Sequence, residues 1–151
     1  MTYCSANNQV VVPHMSGQVS FCNAYTFEVK SLSVSDGSSM GISFSPDGSQ
    51  FAAEHRKTVS VRDFAKQKRR FEMRGHGGGV FAVSWHPRQA RIASASVDRT
   101  VGIWDASNGR QLMTLREHKS PVQGICWSPD GKKLASVGAR CFCIIRTIEL
   151  Q

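Results

Sequence analysis

Hydrophobic residues in this chain occur in short runs that either alternate with polar residues or are rich in β-branched side chains. Turn-forming segments such as Pro-Asp-Gly, Asn-Gly and Ser-Gly separate these runs. None of the longer stretches has the spacing of apolar positions that an amphipathic helix requires. The pattern therefore predicts a succession of short antiparallel strands joined by tight turns.

The strand pattern also repeats along the chain. Three segments of similar sequence recur at spacings of 41 and 42 residues: Ile42–Gly48, Val83–Pro87 and Ile125–Gly131. The apolar runs that follow each segment match at the same spacing, and a weaker similarity extends back to the first residues. Repeats of this length indicate stacked structural units. We therefore predict one domain with four repeats, whose approximate bounds are 1–32, 33–73, 74–115 and 116–151.

The third repeat has the clearest strand pattern. Its four predicted strands are Val80–Trp85, Arg91–Ser96, Val101–Asp105 and Gln111–Leu115. One four-stranded sheet cannot bury both of its faces, so successive sheets must stack to form a core. We predict an all-β fold, a β-propeller of about four partly incomplete four-stranded blades in an open or incomplete ring.

Short motifs in the third repeat connect this architecture to a known family. Gly75-His76 is followed by Ser-x-Ser-x-Asp-x-Thr at 94–100 and by Trp104-Asp105. In this combination the chain resembles the WD-repeat family of β-propellers, over nearly its whole length and most weakly in the first repeat. The resemblance implies a buried structural hydrogen-bond set, formed by His76, Ser94 or Ser96, Asp98 and Trp104.

The other repeats depart from the family pattern. The second has Phe64 in place of the tryptophan and lacks the Gly-His pair. The fourth has Glu117-His118 for Gly-His, Arg146 for tryptophan and Thr147 for aspartate. Only the third repeat is therefore expected to form the full set.

The number of repeats bears on how the ring closes. Propellers of this family commonly have about seven repeats, and a strand from the N-terminal end usually completes the last sheet. We expect the chain to be the C-terminal part of a larger propeller. The alternatives are a small four-bladed ring, or two copies that pair through their end strands.

Composition excludes several classes of protein. Of the 151 residues, 40% are hydrophobic and 20% are charged, as in a folded globular domain. No apolar run approaches the roughly 20 residues of a membrane span, and Met1–Asn8 lacks the features of a secretory signal. The five cysteines form no C-x-x-C pair, which favours a reducing compartment. We expect an intracellular protein without membrane association, in the cytoplasm or alternatively the nucleus.

Two motifs raise the possibility of an enzyme. His76, Asp98 and either serine could form a Ser-His-Asp set, and Gly75–Gly79 looks like a phosphate-binding loop. The family resemblance assigns the first set to a structural role. The glycine loop lacks a Gly-Lys-Ser/Thr ending, and no predicted helix follows it. We therefore predict no enzymatic activity and no cofactor.

A zinc site is the remaining candidate for site chemistry. Cys141 and Cys143 lie on one face of a predicted strand, and His118 and Cys126 could complete a ligand set. The spacing does not match a known zinc motif, and alternating cysteines on a strand are more often small core residues. We predict core cysteines and no metal.

Basic residues provide the stronger indication of function. The net charge is +8, from 19 lysines and arginines against 11 acidic residues. Arginines recur in the predicted turns between the second and third strands of successive repeats, which share one face of a propeller. Such a strip favours acidic or phosphorylated partners. The predicted partner-binding residues are Arg56, Arg99, Arg140, Gly77, Gly78, Gly79, Val80 and Lys119.

A second basic cluster, Lys66–Arg70, is predicted in a loop on the opposite face, as a nuclear import signal or a patch for acidic partners. The function predicted for the chain is that of a non-catalytic scaffold for protein–protein interaction. Two alternatives stay open. One is a nucleic-acid-associated scaffold in RNA processing or chromatin, and the other is an actin-filament disassembly factor of the cofilin-assisted WD-repeat type.

Overall fold

The computed structural model describes residues 2–14, 16–33, 41–139 and 142–148, which form 15 strands and no helix. The first sheet contains β1 (Thr2–Cys4), β2 (Gln9–Pro13), β3 (Gln18–Asn23) and β4 (Val29–Ser33). The second contains β5 (Ile42–Phe44), β6 (Gln50–His55), β7 (Thr58–Asp63) and β8 (Arg69–Met73). The third contains β9 (Val80–Trp85), β10 (Arg91–Ser96), β11 (Val101–Asp105) and β12 (Gln111–Leu115). The fourth contains β13 (Val122–Trp127), β14 (Lys133–Gly138) and β15 (Cys143–Thr147).

Within each sheet the strands pair antiparallel and in chain order, so that every sheet is a simple meander. We call the four sheets blades 1 to 4. The strands of blade 3 have the bounds predicted from the sequence, and the all-β, WD-type fold is confirmed. Because the described part of the chain contains no helix, it contains none that could span a membrane.

Apolar packing between successive blades forms three separate cores. Blade 1 meets blade 2 through an aromatic cluster in which neighbouring ring centroids lie 5.2 to 6.3 Å apart; its rings are Phe21, Phe44, Phe51 and Phe64. Blade 2 meets blade 3 around Met73 and Trp104, and blade 3 meets blade 4 around Ile103 and Trp127. The middle strands of blades 2 and 3 are therefore buried on both faces, which explains why β6 and β10 show no hydrophobic alternation.

Polar contacts between the first strands of blades 2, 3 and 4, which we call the inner strands, repeat from blade to blade. The Trp85 N–H donates a hydrogen bond of 2.8 Å to Ser43 Oγ, and the Trp127 N–H donates one of 3.2 Å to Ser84 Oγ. Ser43 and Ser84 occupy equivalent positions in blades 2 and 3. Each serine thus ties the inner strand of its own blade to that of the next, and these bonds set the register between the two blades.

His86 joins blades 3 and 4 at the end of β9, directly after Trp85. Its Nε2 lies 3.0 Å from the Gly131 carbonyl oxygen, and its ring packs edge-on against Trp127 with centroids 4.8 Å apart. Its Nδ1 accepts hydrogen bonds from the N–H groups of Arg88 and Gln89. Burial lowers the pKa of His86, although the bond to Gly131 opposes that shift. The ring is therefore neutral and carries its proton on Nε2.

The outer faces of blades 1 and 4 expose apolar side chains. Val29 and Val12 are 62% and 37% exposed on blade 1, and Ile145 is 67% exposed on blade 4. Cys143 lies beside Ile145 and is exposed as well. The prediction that it is a core residue is wrong, because no described part of the chain packs on this face of blade 4.

Replacing Gly131 with alanine tests the contact between blades 3 and 4. Gly131 has a φ of +76°, and a Cβ there would lie 2.4 Å from His86 Cε1. Gly131→Ala should lower the free energy of unfolding by about 2 kcal/mol, since strain and steric overlap add. Urea denaturation measures the change. Gly79→Ala is the control, since its Cβ would come no closer than 3.7 Å to any atom. Equal losses in the two variants would contradict the assigned contact.

Candidate partner-binding face

The turns between second and third strands, and the loops that lead to the next blade, lie at the same edge of the sheets. We call this edge the upper face. It is formed by residues 55–58, 74–79, 97–100, 116–121, 139 and 142. Most of the residues predicted to bind partners lie here, and the hydrogen-bond set of blade 3 lies directly beneath.

In blade 3 that set is a continuous chain of side chains. Trp104 Nε1 lies 2.7 Å from Ser94 Oγ, and Ser94 Oγ lies 2.7 Å from His76 Nε2. His76 Nδ1 lies 3.0 Å from Asp98 Oδ2. The serine in this chain is Ser94, which resolves the alternative between the two serines. Ser96 instead donates to the Gly78 carbonyl and accepts from the Asp98 N–H.

The chemistry of the groups orients the protons along this chain. The Trp104 N–H can only donate, so it donates to Ser94 Oγ. The Ser94 hydroxyl then donates to His76 Nε2, and the His76 Nδ1–H donates to Asp98. Thr100, the last residue of the Ser-x-Ser-x-Asp-x-Thr motif, also takes part in this network, although the family resemblance did not imply it. Its N–H and its hydroxyl donate to Asp98 Oδ1 at 2.9 and 2.6 Å.

Asp98 is ionised in this environment. Burial alone would raise the pKa of its carboxyl group, but hydrogen bonds from Thr100, His76 and the Gly77 N–H together outweigh burial. They hold the pKa well below the usual range for aspartate. The carboxylate therefore fastens the loop that begins at Gly77 to the turn at 97–100.

The same geometry argues against a hydrolase. The order Ser94, His76, Asp98 is that of a Ser-His-Asp triad, with comparable distances. Ser94, however, has no exposed surface, and its hydroxyl is hydrogen-bonded to both His76 and Trp104. A substrate carbonyl cannot reach Ser94 Oγ. The arrangement supports the blade and its turn.

The glycine loop lies between two arginine-bearing turns. The Val80 N–H donates to the Arg56 carbonyl at 2.7 Å, and the Val97 N–H donates to the Gly79 carbonyl at 2.8 Å. Gly78 has to be glycine, because a Cβ there would lie 2.9 Å from the Asp98 backbone nitrogen. The backbone of the loop is therefore held from both sides.

Arg56 and Arg99 occupy equivalent places in blades 2 and 3. Both are exposed, and both have a left-handed backbone, with φ of +54° and +70°. Lys119 is exposed in the loop that enters blade 4, which corresponds to the Gly77 loop of blade 3, and Arg140 lies outside the described residues. Val80 is only 6% exposed, because β9 starts there and its side chain enters the core between blades 2 and 3. Its assignment to partner binding is wrong.

The second repeat departs from the family pattern at a different residue from the one predicted. Arg62 pairs with Arg69 directly after a register shift, as Trp104 pairs with Gln111 in blade 3. Arg62 therefore occupies the tryptophan position. Phe64 lies two residues later, where it joins the aromatic cluster between blades 1 and 2.

In the fourth repeat, half of the set remains. His118 Nε2 lies 2.7 Å from Ser136 Oγ, as in blade 3. Arg146, at the tryptophan position, forms an ion pair with Glu117. Trp104 and Gly75 occupy the positions of Arg146 and Glu117 in blade 3. A Cβ on Gly75 would lie 3.0 Å from the Trp104 indole ring, so the ring packs directly on the glycine. A charged pair thus replaces an aromatic ring packed on a glycine.

The structure does not assemble the hypothetical zinc ligands. Cys126 and Cys143 are exposed, His118 is bonded to Ser136, and Cys141 lies outside the described residues. Among the described residues, no three of His, Cys, Asp and Glu lie close enough together to hold a metal ion.

The second basic cluster is only partly a loop. Residues 66–68 lie in the connection between β7 and β8, and Arg69 and Arg70 already belong to β8. All five residues are exposed, at the edge of blade 2 opposite the upper face.

Comparison with known families agrees with the architecture. The profile of the WD40 family (WD domain, G-beta repeat) matches residues 67–105 and 109–145, which is half of the chain. Each match combines the outer strand of one blade with three strands of the next. The chain belongs to the WD40 repeat family. Repeats of this family generally mediate protein–protein interaction, and the family is typically non-catalytic. No curated protein gave a significant match.

The role of Asp98 can be tested through the pH dependence of stability. Asp98→Asn should lower the free energy of unfolding at pH 7 by roughly 1–3 kcal/mol. Because the folded-state pKa is depressed, the contribution of the carboxylate is complete above the unfolded pKa of about 3.9 and is lost as pH falls towards the folded value. The difference between wild type and variant in urea unfolding should therefore shrink below pH 4.

Asp63→Asn is the matched control for this experiment. Asp63 Oδ1 accepts a single backbone hydrogen bond, from Lys66, so the smaller loss is expected there. A difference between wild type and Asp98→Asn that stays constant from pH 7 to pH 3 would show that the carboxylate charge is not what stabilises the turn.

Proposed function

We propose that this chain is a non-catalytic scaffold that binds acidic or phosphorylated segments of other proteins on its upper face. The observation that carries the proposal is the placement of Arg56 and Arg99 on either side of the Gly77–Gly79 loop. Both turns are fixed through their backbones, while both side chains are exposed. Two guanidinium groups on a rigid base offer charge-assisted hydrogen bonds to carboxylates or phosphates.

The glycine loop contributes access to the backbone. Gly77 is exposed and carries no side chain, so a bound segment can approach the main chain between the two arginines. Lys119 extends the positive charge towards blade 4. Arg74, by contrast, is paired with Glu72 at 2.6 Å, which reduces its availability to a partner.

The rigidity of the frame favours this function. The hydrogen bonds of Asp98 join the Gly77 loop to the Arg99 turn, and the Val80 N–H joins the same loop to the Arg56 turn. A partner therefore meets a site that is already ordered, and less ordering entropy is lost on binding. The charge of the chain, +8, also increases the rate of encounter with acidic surfaces.

The two alternative functions are not favoured by a specific feature of this face. A nucleic-acid-associated scaffold rests on the net charge of +8, which favours both functions, and on Lys66–Arg70, which lies at the opposite edge. The actin-disassembly alternative stays a prediction that nothing in the described residues tests.

Charge reversal on the two faces tests the proposal. The probe is a fluorescein-labelled decapeptide of glutamate, titrated by fluorescence anisotropy at low salt. Arg56→Glu combined with Arg99→Glu should weaken binding at least about tenfold, equivalent to about 1.4 kcal/mol. The matched control, Lys66→Glu with Lys68→Glu, makes the same change in net charge on the opposite face and should alter the affinity less than about twofold.

Equal losses in both double variants would mean that net charge alone attracts the peptide, and the proposed face would be wrong. A larger loss in the control, together with tight and salt-sensitive binding of a random single-stranded RNA, would favour the nucleic-acid alternative.

A further inference from the structure

A cavity of about 530 Å³ opens on the upper face at blade 4. It is lined by Glu117, Lys119, Ser120, Pro121, Ala139 and Phe142. These residues come from the loop that enters β13 and from the ends of the turn between β14 and β15.

The position of the cavity becomes clear by comparison with blade 3, at a spacing of 42 residues. The lining residues Lys119, Ser120 and Phe142 correspond to Gly77, Gly78 and Thr100. In blade 3 those residues surround Asp98: the Gly77 N–H and Thr100 donate to its carboxylate, and a Cβ on Gly78 would lie 3.4 Å from its Cβ. The cavity of blade 4 thus lies where blade 3 holds its carboxylate.

The fourth repeat supplies no acid for this place. The residue aligned with Asp98 is Arg140, which lies outside the described residues. Glu117 lines the cavity, but it is paired with Arg146. The carboxylate that blade 3 provides from its own turn has no counterpart in the sequence of blade 4.

The buried histidine beside the cavity retains the orientation seen in blade 3. His118 is 8% exposed, and its Nε2 is bonded to Ser136. Its Nδ1 is buried and has no hydrogen-bond partner, whereas the equivalent atom of His76 contacts both Asp98 and Thr100. A buried nitrogen of this kind is normally paired. His118 therefore offers a hydrogen bond that the described part of the chain does not use.

The surroundings of this nitrogen border the cavity. A Cβ on Gly138 would lie 3.1 Å from His118 Nδ1 and 2.8 Å from Ser120 Oγ. Ser120 is itself a lining residue, and the Lys119 side chain adds a positive charge at the same wall. The nitrogen, the hydroxyl and the ammonium group are thus all suited to an anionic acceptor.

We propose that this cavity binds the carboxylate of an aspartate or glutamate side chain from a partner protein, which accepts a hydrogen bond from His118 Nδ1 in the place that Asp98 takes in blade 3. The proposal rests on the proposed function in assigning the upper face to partner binding. The volume exceeds that of one carboxylate, and Phe142 is 69% exposed at the wall. The bound segment therefore carries an apolar residue next to its acid.

The electrostatics of the histidine agree with this assignment. Burial lowers the pKa of His118, so the ring is neutral before a ligand binds. A carboxylate at Nδ1 favours the neutral tautomer that carries its proton on Nδ1, in which the Ser136 hydroxyl donates to Nε2 as Ser94 does in blade 3. Of the described charged residues that line the cavity, Glu117 is paired with Arg146, which leaves the positive charge of Lys119 for the ligand.

The test uses the full chain, labelled with ¹⁵N, and two peptides that differ in one group. The probes are N-acetyl-Gly-Glu-Phe-Gly-amide and the same peptide with glutamine. We expect the glutamate peptide to shift the His118 ring nitrogens, with Nδ1 keeping its proton, and to bind at least tenfold more tightly than the glutamine peptide. Equal binding of the two peptides, or no response of His118, would overturn the proposal.

A variant and an ion give two further readouts. Gly138→Ala places a methyl group between Ser120 Oγ and His118 Nδ1 and should abolish the response. Asp63→Asn, at the edge of blade 2 opposite the upper face, should preserve it. If Gly138→Ala does not fold, as judged by circular dichroism, the comparison of the two peptides on the wild type decides alone. Inorganic phosphate that shifts His118 as strongly as the glutamate peptide would overturn the assignment to a carboxylate.

The experiment separates this inference from the proposed function. The double variant Arg56→Glu and Arg99→Glu removes the site between blades 2 and 3 and leaves His118 and its cavity intact. Decaglutamate binding that survives this variant contradicts the proposed function, whatever His118 does. A missing His118 response contradicts only the present inference.

Discussion

Apolar packing between successive blades is the constraint on which the rest of this structure depends. A four-stranded meander has two faces and cannot bury either of them alone. In this chain the blades stack on one another. Met73 and Trp104 lie in the core between blades 2 and 3, and Ile103 and Trp127 lie in the core between blades 3 and 4. This stack brings the turns of different blades to one edge. The shared upper face, on which we propose that partners bind, is therefore a consequence of how the core is built.

The need to pair buried polar groups determines how blades 3 and 4 differ. Blade 3 satisfies His76 with its own aspartate, and the resulting network fixes the loop that any partner would contact. Blade 4 keeps the histidine and its serine but has Arg146 in place of the tryptophan. One blade is complete and rigid, and the other retains an unused hydrogen-bonding nitrogen beside a cavity. The same repeat thus supports a turn in blade 3, and we propose that it takes part in recognition in blade 4.

Features that depend on local sequence could be predicted, whereas features that depend on neighbouring blades could not. The strands of blade 3 follow from turn residues and β-branched runs. Whether Val80 is exposed depends on blade 2, and whether Cys143 is buried depends on what covers blade 4. The place of Arg62 could have been found, because it lies 42 residues before Trp104, and the register shift that blades 2 and 3 share agrees with that alignment. The pairing of His118 with Ser136 could have been found, because the two lie 42 residues beyond His76 and Ser94.

The central claim is that partners bind at the upper face between blades 2 and 3. The most direct measurement is NMR mapping of the ¹⁵N-labelled chain during titration with decaglutamate, read at every backbone amide. The account predicts that the perturbed amides cluster at Gly77–Gly79 and at the turns of Arg56 and Arg99, while 64–68 stays unchanged. Perturbations that cluster at 64–68 instead would contradict it.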